Sequence, residues 1–293
     1  MRHQVTTGCP YRTQRYCVFT NILRVETLNT VTSNYRNMTR EFSLDRRSYL
    51  KAVGAAGATT AVAGCLDDDE NVINPGTASG FPPFEFTQGG ELVGFDIDLA
   101  EAVIERAGYE VGEWTDIEFD SLIPSLVEGN IDMAAAAMTI TEERQETIAF
   151  SSPYYEADQA VLIRDDSDFD LDSVEDLGGL VVGAQSGTTG EGELEDLIDD
   201  GIVDEDDSRQ YENYTLGVQD LENGNVDALI LDVPVAETFA DSRSVVVAFT
   251  IETGEEYGFG LRQDDDRIDD LNAALEEIQE DGTYDDLVTE WFE

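Results

Sequence analysis

The sequence predicts an α/β fold built as two similar halves, and three observations carry that expectation. Strand and helix patterns alternate from residue 72 onward, which argues for sheets of mainly parallel strands covered by helices. Within each helical stretch the apolar residues fall on one face. A short motif also recurs, Leu126-Val127-Glu128-Gly129-Asn130-Ile131-Asp132 returning as Leu221-Glu222-Asn223-Gly224-Asn225-Val226-Asp227. In each copy a helix ends at Gly-Asn and a strand opens with an apolar residue and Asp. Two such halves would turn the C-terminal ends of their strands toward each other, where open α/β sheets hold ligands and where interdomain clefts form. The repeat is short, so chance similarity is the competing explanation.

Taken in order, residues 1–37 do not fit ahead of an export signal, whereas Met38 begins an ordinary one. Residues 1–37 therefore read as a doubtful upstream extension. In residues 38–64, Arg46-Arg47 precedes a small-residue apolar run that ends Val62-Ala63-Gly64 before Cys65. The run is too short and too Gly-rich to span a bilayer. It looks like a twin-arginine export signal followed by a lipobox, which implies cleavage before Cys65 and a lipid on its sulfur. A buried Ala/Gly helix is the plainer alternative. Residues 65–70 form an acidic spacer.

A first strand is expected at Val72–Thr77, broken by Pro75. The aromatic turn Gly80-Phe81-Pro82-Pro83-Phe84-Glu85-Phe86 follows, and Gly89-Gly90 turns the chain again. A helix over roughly 96–107 would bury Ile97, Ala100, Val103, Ile104 and Ala107 and stop at Gly108. A strand at Val111–Ile117 comes next. Asp120 then caps a helix burying Leu122, Ile123, Leu126 and Val127, with Pro124 near its start, where proline costs least. The strand Ile131–Ala137 leads to Thr139, and its counterpart Val226–Leu231 leads to Asp232. At the C-terminal end, Ile268, Leu271, Leu275 and Ile278 keep helical spacing, and Asp281-Gly282-Thr283-Tyr284 caps a last helix whose aromatics read as core.

The formal net charge is -49, from 65 acids and 16 basic residues. Nine of the basic residues precede Cys65. From Cys65 onward seven arginines face 62 acids, with no lysine. Such charge repels itself, yet the hydrophobic fraction is 41% and the patterns are clear. The combination fits a halophile's protein, whose surface charges are screened by concentrated salt. It excludes a nucleic-acid partner, which needs clustered Lys and Arg. Cys9, Cys17 and His3 all lie upstream of Cys65. The remaining chain has neither an internal disulfide nor a thiolate or histidine set for metals, and no histidine for Ser-His or Cys-His catalysis. No cofactor is implied.

Two stretches could hold an anion. In Ala134-Ala135-Ala136-Ala137-Met138-Thr139-Ile140-Thr141-Glu142-Glu143-Arg144-Gln145, a buried strand turns into a new helix capped by Thr141. Arg144 then occupies the third helical position, where a cation opposes the helix dipole and Glu or Gln is usual. An anion seated over the helix end would account for it. So would a surface ion pair with a neighbouring acid, and local sequence does not separate the two. The second stretch, Gln185-Ser186-Gly187-Thr188-Thr189-Gly190, joins the strand Leu180–Ala184 to a helix expected from Glu191. It offers backbone N–H groups to an anion or is a plain turn. It has no P-loop pattern and no lysine for a phosphate.

From about Asn71 to the end the chain resembles the amino-acid-binding family of extracellular solute-binding proteins that serve ABC importers, here of a haloarchaeal lipoprotein type. The likeness rests on Gly80–Phe86, on Gly94-Phe95-Asp96-Ile97-Asp98-Leu99-Ala100, on Phe119–Leu126 and on Thr139–Arg144. It continues through Ile148-Ala149-Phe150-Ser151-Ser152-Pro153-Tyr154-Tyr155, Gln185-Ser186-Gly187-Thr188, Gly282-Thr283-Tyr284 and Trp291-Phe292, all in the family's order. The resemblance implies a two-lobed, type II periplasmic-binding-protein-like fold with two hinge strands. One lobe would comprise 71–162 plus 255–293 and the other 163–254, with hinges near Ile163-Arg164 and Thr250–Gly254. It implies that Arg144 grips a ligand carboxylate, helped by Thr139, Thr188 and Thr189. Asp232 and the Ala137 carbonyl would hold the ammonium, Phe81 and Phe119 would sandwich the side chain, and Gln185 could bond a polar one. Many members carry Asp where this chain has Ala78, so a neutral or polar amino acid is expected rather than a cationic one. A lipid-anchored monomer outside the cytoplasmic membrane, handing its ligand to importer membrane subunits, is the implied setting. A cyclohexadienyl dehydratase-like enzyme on the same fold is the rival. Asn213-Tyr214-Thr215 is a glycosylation sequon, a pattern that also occurs by chance.

Overall fold

The computed structural model describes residues 71–293. The expected extension, signal, lipidated Cys65 and acidic spacer all lie outside the described residues. The chain opens with β1 (Val72–Ile73) and β2 (Pro75–Thr77). They are separate strands because Pro75 has no N–H to donate, while Asn74 is tied sideways, its backbone N–H bonding Asp132 Oδ2 at 3.0 Å. The hairpin β3 (Phe86–Gln88) and β4 (Glu91–Val93) turns at Gly89-Gly90. Helix α1 (Phe95–Arg106) buries Phe95, Ile97, Leu99, Ala100, Val103 and Ile104. Gly94 before it must be glycine, because a Cβ would lie 2.0 Å from the Phe84 carbonyl oxygen.

The strand expected at Val111–Ile117 is two, β5 (Glu110–Val111) and β6 (Thr115–Asp116). Helix α2 (Leu122–Glu128) follows a 3-10 turn over Phe119–Ser121, so that Asp120 lies inside the turn and no side chain caps the helix. That turn rotates the helix, so Val127, expected inside, is 56% exposed. Only β7 (Met133–Ala134) of the expected strand Ile131–Ala137 is regular. Helix α3 (Glu142–Gln145) starts at Thr141, whose hydroxyl accepts from the Arg144 N–H. After β8 (Ile148–Phe150) comes the long β9 (Tyr155–Arg164).

Strand β10 (Val182–Gln185) leads into α4 (Thr189–Asp199). Next are β11 (Ser208–Tyr211), α5 (Tyr214–Asn223), β12 (Ala228–Asp232) and α6 (Val233–Ser242). Asn213, the sequon residue, caps α5, its Oδ1 accepting the Leu216 N–H at 3.0 Å. The chain ends with β13 (Val245–Tyr257), β14 (Gly260–Arg262), α7 (Ile268–Asp281) and α8 (Thr283–Phe292). Phe292 and Trp291 pack on Phe84, Phe95, Tyr155 and Phe86, as core aromatics should.

Two five-stranded sheets organise these elements, in the orders β6-β2-β7-β14-β8 and β11-β10-β12-β9-β13. Both are mixed, with most of their strands running the same way. In each, four strands share one direction and a single strand, β14 in the first sheet and β9 in the second, runs against them. That strand is in each case the first one after the chain crosses between sheets. The chain leaves the first sheet after Phe150 and enters the second at Tyr155, then returns between Tyr257 and Gly260. Ile163-Arg164, expected at a hinge, instead lies at the far end of β9, paired with Val245 and Val246. The second expected region coincides with a register irregularity between Ile251 and Glu255.

The repeated motif occupies equivalent places in both halves. Gly129 and Gly224 end α2 and α5 at φ 76° and 72°, a left-handed conformation that favours glycine. Asn130 and Asn225 each donate their backbone N–H to the carbonyl five residues back, at 2.9 Å. Asp132 and Asp227 then accept from the backbone N–H groups of Asn74 and Val181, tying the start of the adjacent strand.

Candidate ligand-binding site

The first half brings its residues together through loops at strand ends. Met133–Met138 is fully buried, and Ala137 has φ 44°, the only non-glycine in the left-handed region among the described residues. That conformation costs an L-residue about 1 kcal/mol. Asp96, at the start of α1, offsets it by accepting the Ala137 N–H at 2.6 Å. Its Oδ2 also accepts from the Tyr154 hydroxyl at 2.6 Å. Burial raises the Asp96 carboxyl to about 7, against the opposing pull of those two hydrogen bonds.

The nine residues expected in the site, Phe81, Phe119, Ala137, Thr139, Arg144, Gln185, Thr188, Thr189 and Asp232, all line one pocket. Ala78, Glu85 and Ala136 complete the lining. Arg144, from the first half, donates to the Thr139 carbonyl at 2.6 Å and, across the cleft, to the Gly187 carbonyl at 2.9 Å. Its guanidinium carbon sits 5.3 Å from the Phe119 ring centroid, within cation–π range. No carboxylate among the described residues lies within ion-pair distance of it, unlike Arg106, Arg164, Arg243, Arg262 and Arg267. The surface ion-pair reading of Arg144 therefore falls. Burial lowers its pKa, while Glu255, Asp232 and Glu143 pull the other way.

Asp232 ends β12 and is 4% exposed. Its Oδ1 accepts from the Tyr257 hydroxyl at 2.6 Å and from Gln159 Nε2 at 3.1 Å. Burial and then the charge of Glu255 push its carboxyl up to about 7. An unpaired buried carboxylate is costly, which is the physical source of that rise.

The three threonine hydroxyls expected at the carboxylate are each engaged within the protein. Thr139 and Thr189 both donate to Glu255 Oε2 at 2.7 Å, and Thr188 donates to the Gln185 carbonyl at 2.8 Å while capping α4 through the Glu191 N–H. Each hydroxyl has one proton, so none of the three is left to donate to a carboxylate. The first N–H groups of α4, at Thr189 and Gly190, have no intrahelical partner, as at any helix N-terminus. Phe81 packs on Phe84 at 6.0 Å and on Tyr214 of the other half at 5.7 Å.

Two acids escaped the sequence reading. Glu85 lines the cavity, is 1% exposed, and its Oε2 is buried with no partner among the described residues. Burial, then the charges of Asp96, Asp232 and Asp116, hold its carboxyl well above the usual range. Glu255 lies behind Thr139 and Thr189. A wider cavity shares Phe119, Arg144, Thr188 and Thr189 with the first and adds Asp120, Glu143, Glu191 and Glu195. No group of three metal-ligating side chains occurs among the described residues, and no helix there is long and apolar enough to cross a membrane.

This arrangement of two halves, an unpaired arginine and an opposed buried aspartate suits a zwitterion. The family model described as bacterial extracellular solute-binding proteins, family 3, matches residues 73–293. The chain belongs to that family. It is 32% identical to the arginine-binding extracellular protein ArtP of Bacillus subtilis, over 84% of this chain and 98% of that protein. A solved ancestral arginine-binding protein bound to arginine is 38% identical, with TM-score 0.71, over 76% of this chain and 99% of that one. A second ancestral structure, an amino acid-binding precursor of cyclohexadienyl dehydratase, is 34% identical with TM-score 0.70, over 77% of this chain and 97% of that one. The two-lobed, type II periplasmic-binding fold follows from these neighbours.

Proposed function

We propose that this family 3 protein binds an amino acid with a cationic side chain between its two lobes and delivers it to an ABC importer. Glu85 carries the choice of side chain. A neutral or polar ligand was expected because Ala78 stands where relatives have Asp, but Glu85 supplies a buried acid in the same cavity. The charges then balance with Arg144 on the ligand carboxylate, Asp232 and the Ala137 carbonyl on the ammonium, and Glu85 on the side-chain cation. Phe81 and Phe119 flank the aliphatic stem, and Gln185 adds an amide. Asp120, Glu143, Glu191 and Glu195 in the adjoining cavity favour entry of a cation. The arginine-binding relatives point the same way.

The lobes in this reading meet along β9 and β13, with the bend between Ala157–Gln159 and Ile251–Glu255. Export through the twin-arginine signal, a lipid on Cys65 and a single-chain receptor complete the proposal. Glu85→Gln should weaken arginine or lysine about tenfold or more while leaving glutamine nearly unchanged. Equal losses for both classes would move the reading back to a neutral ligand. An acid that keeps its proton in the cavity also suits a dehydratase. Turnover of an arogenate-like compound, lost in Glu85→Gln, would favour that enzyme instead.

A further inference from the structure

Glu255 has no part in gripping the ligand in the scheme above, yet its carboxylate joins the two halves. It sits on β13 at the edge of the register irregularity and is 8% exposed. Its Oε2 accepts from Thr139 of the first half and Thr189 of the second, each at 2.7 Å. Its Oε1 accepts from Gln159 Nε2 at 3.0 Å, and the same amide nitrogen reaches Asp232. The two threonine oxygens lie 3.4 Å apart across the cleft. The irregularity itself is held by another side chain, since Asp158 Oδ1 accepts from the Thr253 and Gly254 N–H groups at 2.9 and 2.8 Å. The shape of β13 therefore does not account for burying a second acid beside Asp232. What Glu255 does there is hold two hydroxyls that belong to different lobes.

We propose that Glu255 is a positioning residue of the binding site, drawing Thr139 and Thr189 together so that the cleft closes and their oxygens face the ligand as acceptors. With both protons given to Glu255, each hydroxyl presents only lone pairs to the cavity. It suits an ammonium and not a carboxylate. The device deepens the amino-acid reading above, on which its ligand half rests, whereas its closing half stands on the protein alone. A receptor whose binding-competent state is partly populated loses apparent affinity in proportion to that fraction. Removing the link should therefore open the cleft and speed ligand release.

The test uses cysteines placed at exposed Glu128 and Asp199, one on each side of the cleft, carrying spin labels. Their distance distribution is measured in concentrated salt, without and with arginine, in the parent and in Glu255→Gln. The expected result is a smaller closed population without ligand, and about tenfold faster arginine release with little change in capture. Thr139→Val and Thr189→Val should each open the cleft, and neither should add its full effect to Glu255→Gln. Should Glu255→Gln fail to fold, the two threonine variants decide alone. An unchanged distance distribution together with additive threonine effects would overturn the proposal. If no amino acid binds the parent, the ligand reading fails, but the label distances still decide whether Glu255 closes the cleft.

Discussion

Asp232→Asn should move stability and binding in opposite directions. Asp232 is held at about 7 by burial and by Glu255, far above the ordinary carboxylate range. A ligand ammonium needs the ionised form. With a pKa near 7 that form is about one molecule in eleven at pH 6 and about ten in eleven at pH 8. Affinity for an amino acid should then fall about tenfold from pH 8 to pH 6, or about 1.4 kcal/mol. Near pH 7 binding should release about half a proton from this group, visible by calorimetry in buffers of different ionisation enthalpy. The deaminated analogue of the same ligand should show neither effect. For stability the sign is reversed. The folded pKa lies above the unfolded one, so this group's contribution is fully present below about pH 4 and is lost as pH rises through about 7. Asp232→Asn removes the buried charge while its carbonyl can still accept from Tyr257 and Gln159. The variant should melt higher than the parent at pH 8 and bind amino acids about 100-fold more weakly, with a flat pH profile. A parent whose affinity is constant from pH 6 to 8 without proton release, beside a variant that binds equally well, would refute the ammonium role.

Three further outcomes are expected. Arg144→Ala should weaken ligand about 100-fold or more, with the melting temperature nearly unchanged, because the guanidinium bonds only two carbonyls; circular dichroism and a binding titration on one sample check both. Gly187→Ala should raise the release rate more than it lowers the capture rate in stopped-flow measurements. Its φ of 78° disfavours a side chain, and the new Cβ would lie 2.9 Å from the Asp120 Cβ across the cleft. Transfer from concentrated salt to dilute buffer should unfold the protein, as the self-repulsion behind the net charge of -49 loses its screening; a far-ultraviolet spectrum that survives dilution would remove the halophilic reading.

Local chemistry was legible in the sequence where one residue decides the outcome. Thr141 caps α3, and Gly129 and Gly224 stop their helices, because each acts on backbone groups within a turn of itself. Asp120 misled because the helix behind it begins with a 3-10 turn, which moved the helix start to Leu122 and rotated Val127 outward. The mixed sheets were hidden because β14 and β9 reach their neighbours only after the chain has crossed between halves. Glu85 and Glu255 were hidden differently. They are two of 62 acids from Cys65 onward, and nothing local marks a glutamate that tertiary structure will bury. The one available signal for Glu85 was its place among aromatics, in Phe84-Glu85-Phe86, where a surface acid is out of keeping. The acceptor for Thr139 and Thr189 was hidden for the same reason, since Glu255 lies on a strand far along the chain.

The most direct test of the account is a calorimetric titration of residues 65–293, in concentrated salt at pH 8, with arginine and with glutamine in parallel. The account predicts saturable binding of arginine at one site per chain, at least tenfold tighter than glutamine, and much weaker binding of arginine's deaminated analogue. Saturable binding of glutamine with none of arginine would contradict the role given to Glu85. Silence from every amino acid would contradict the assignment of Arg144 and Asp232 as the two ends of a zwitterion clamp.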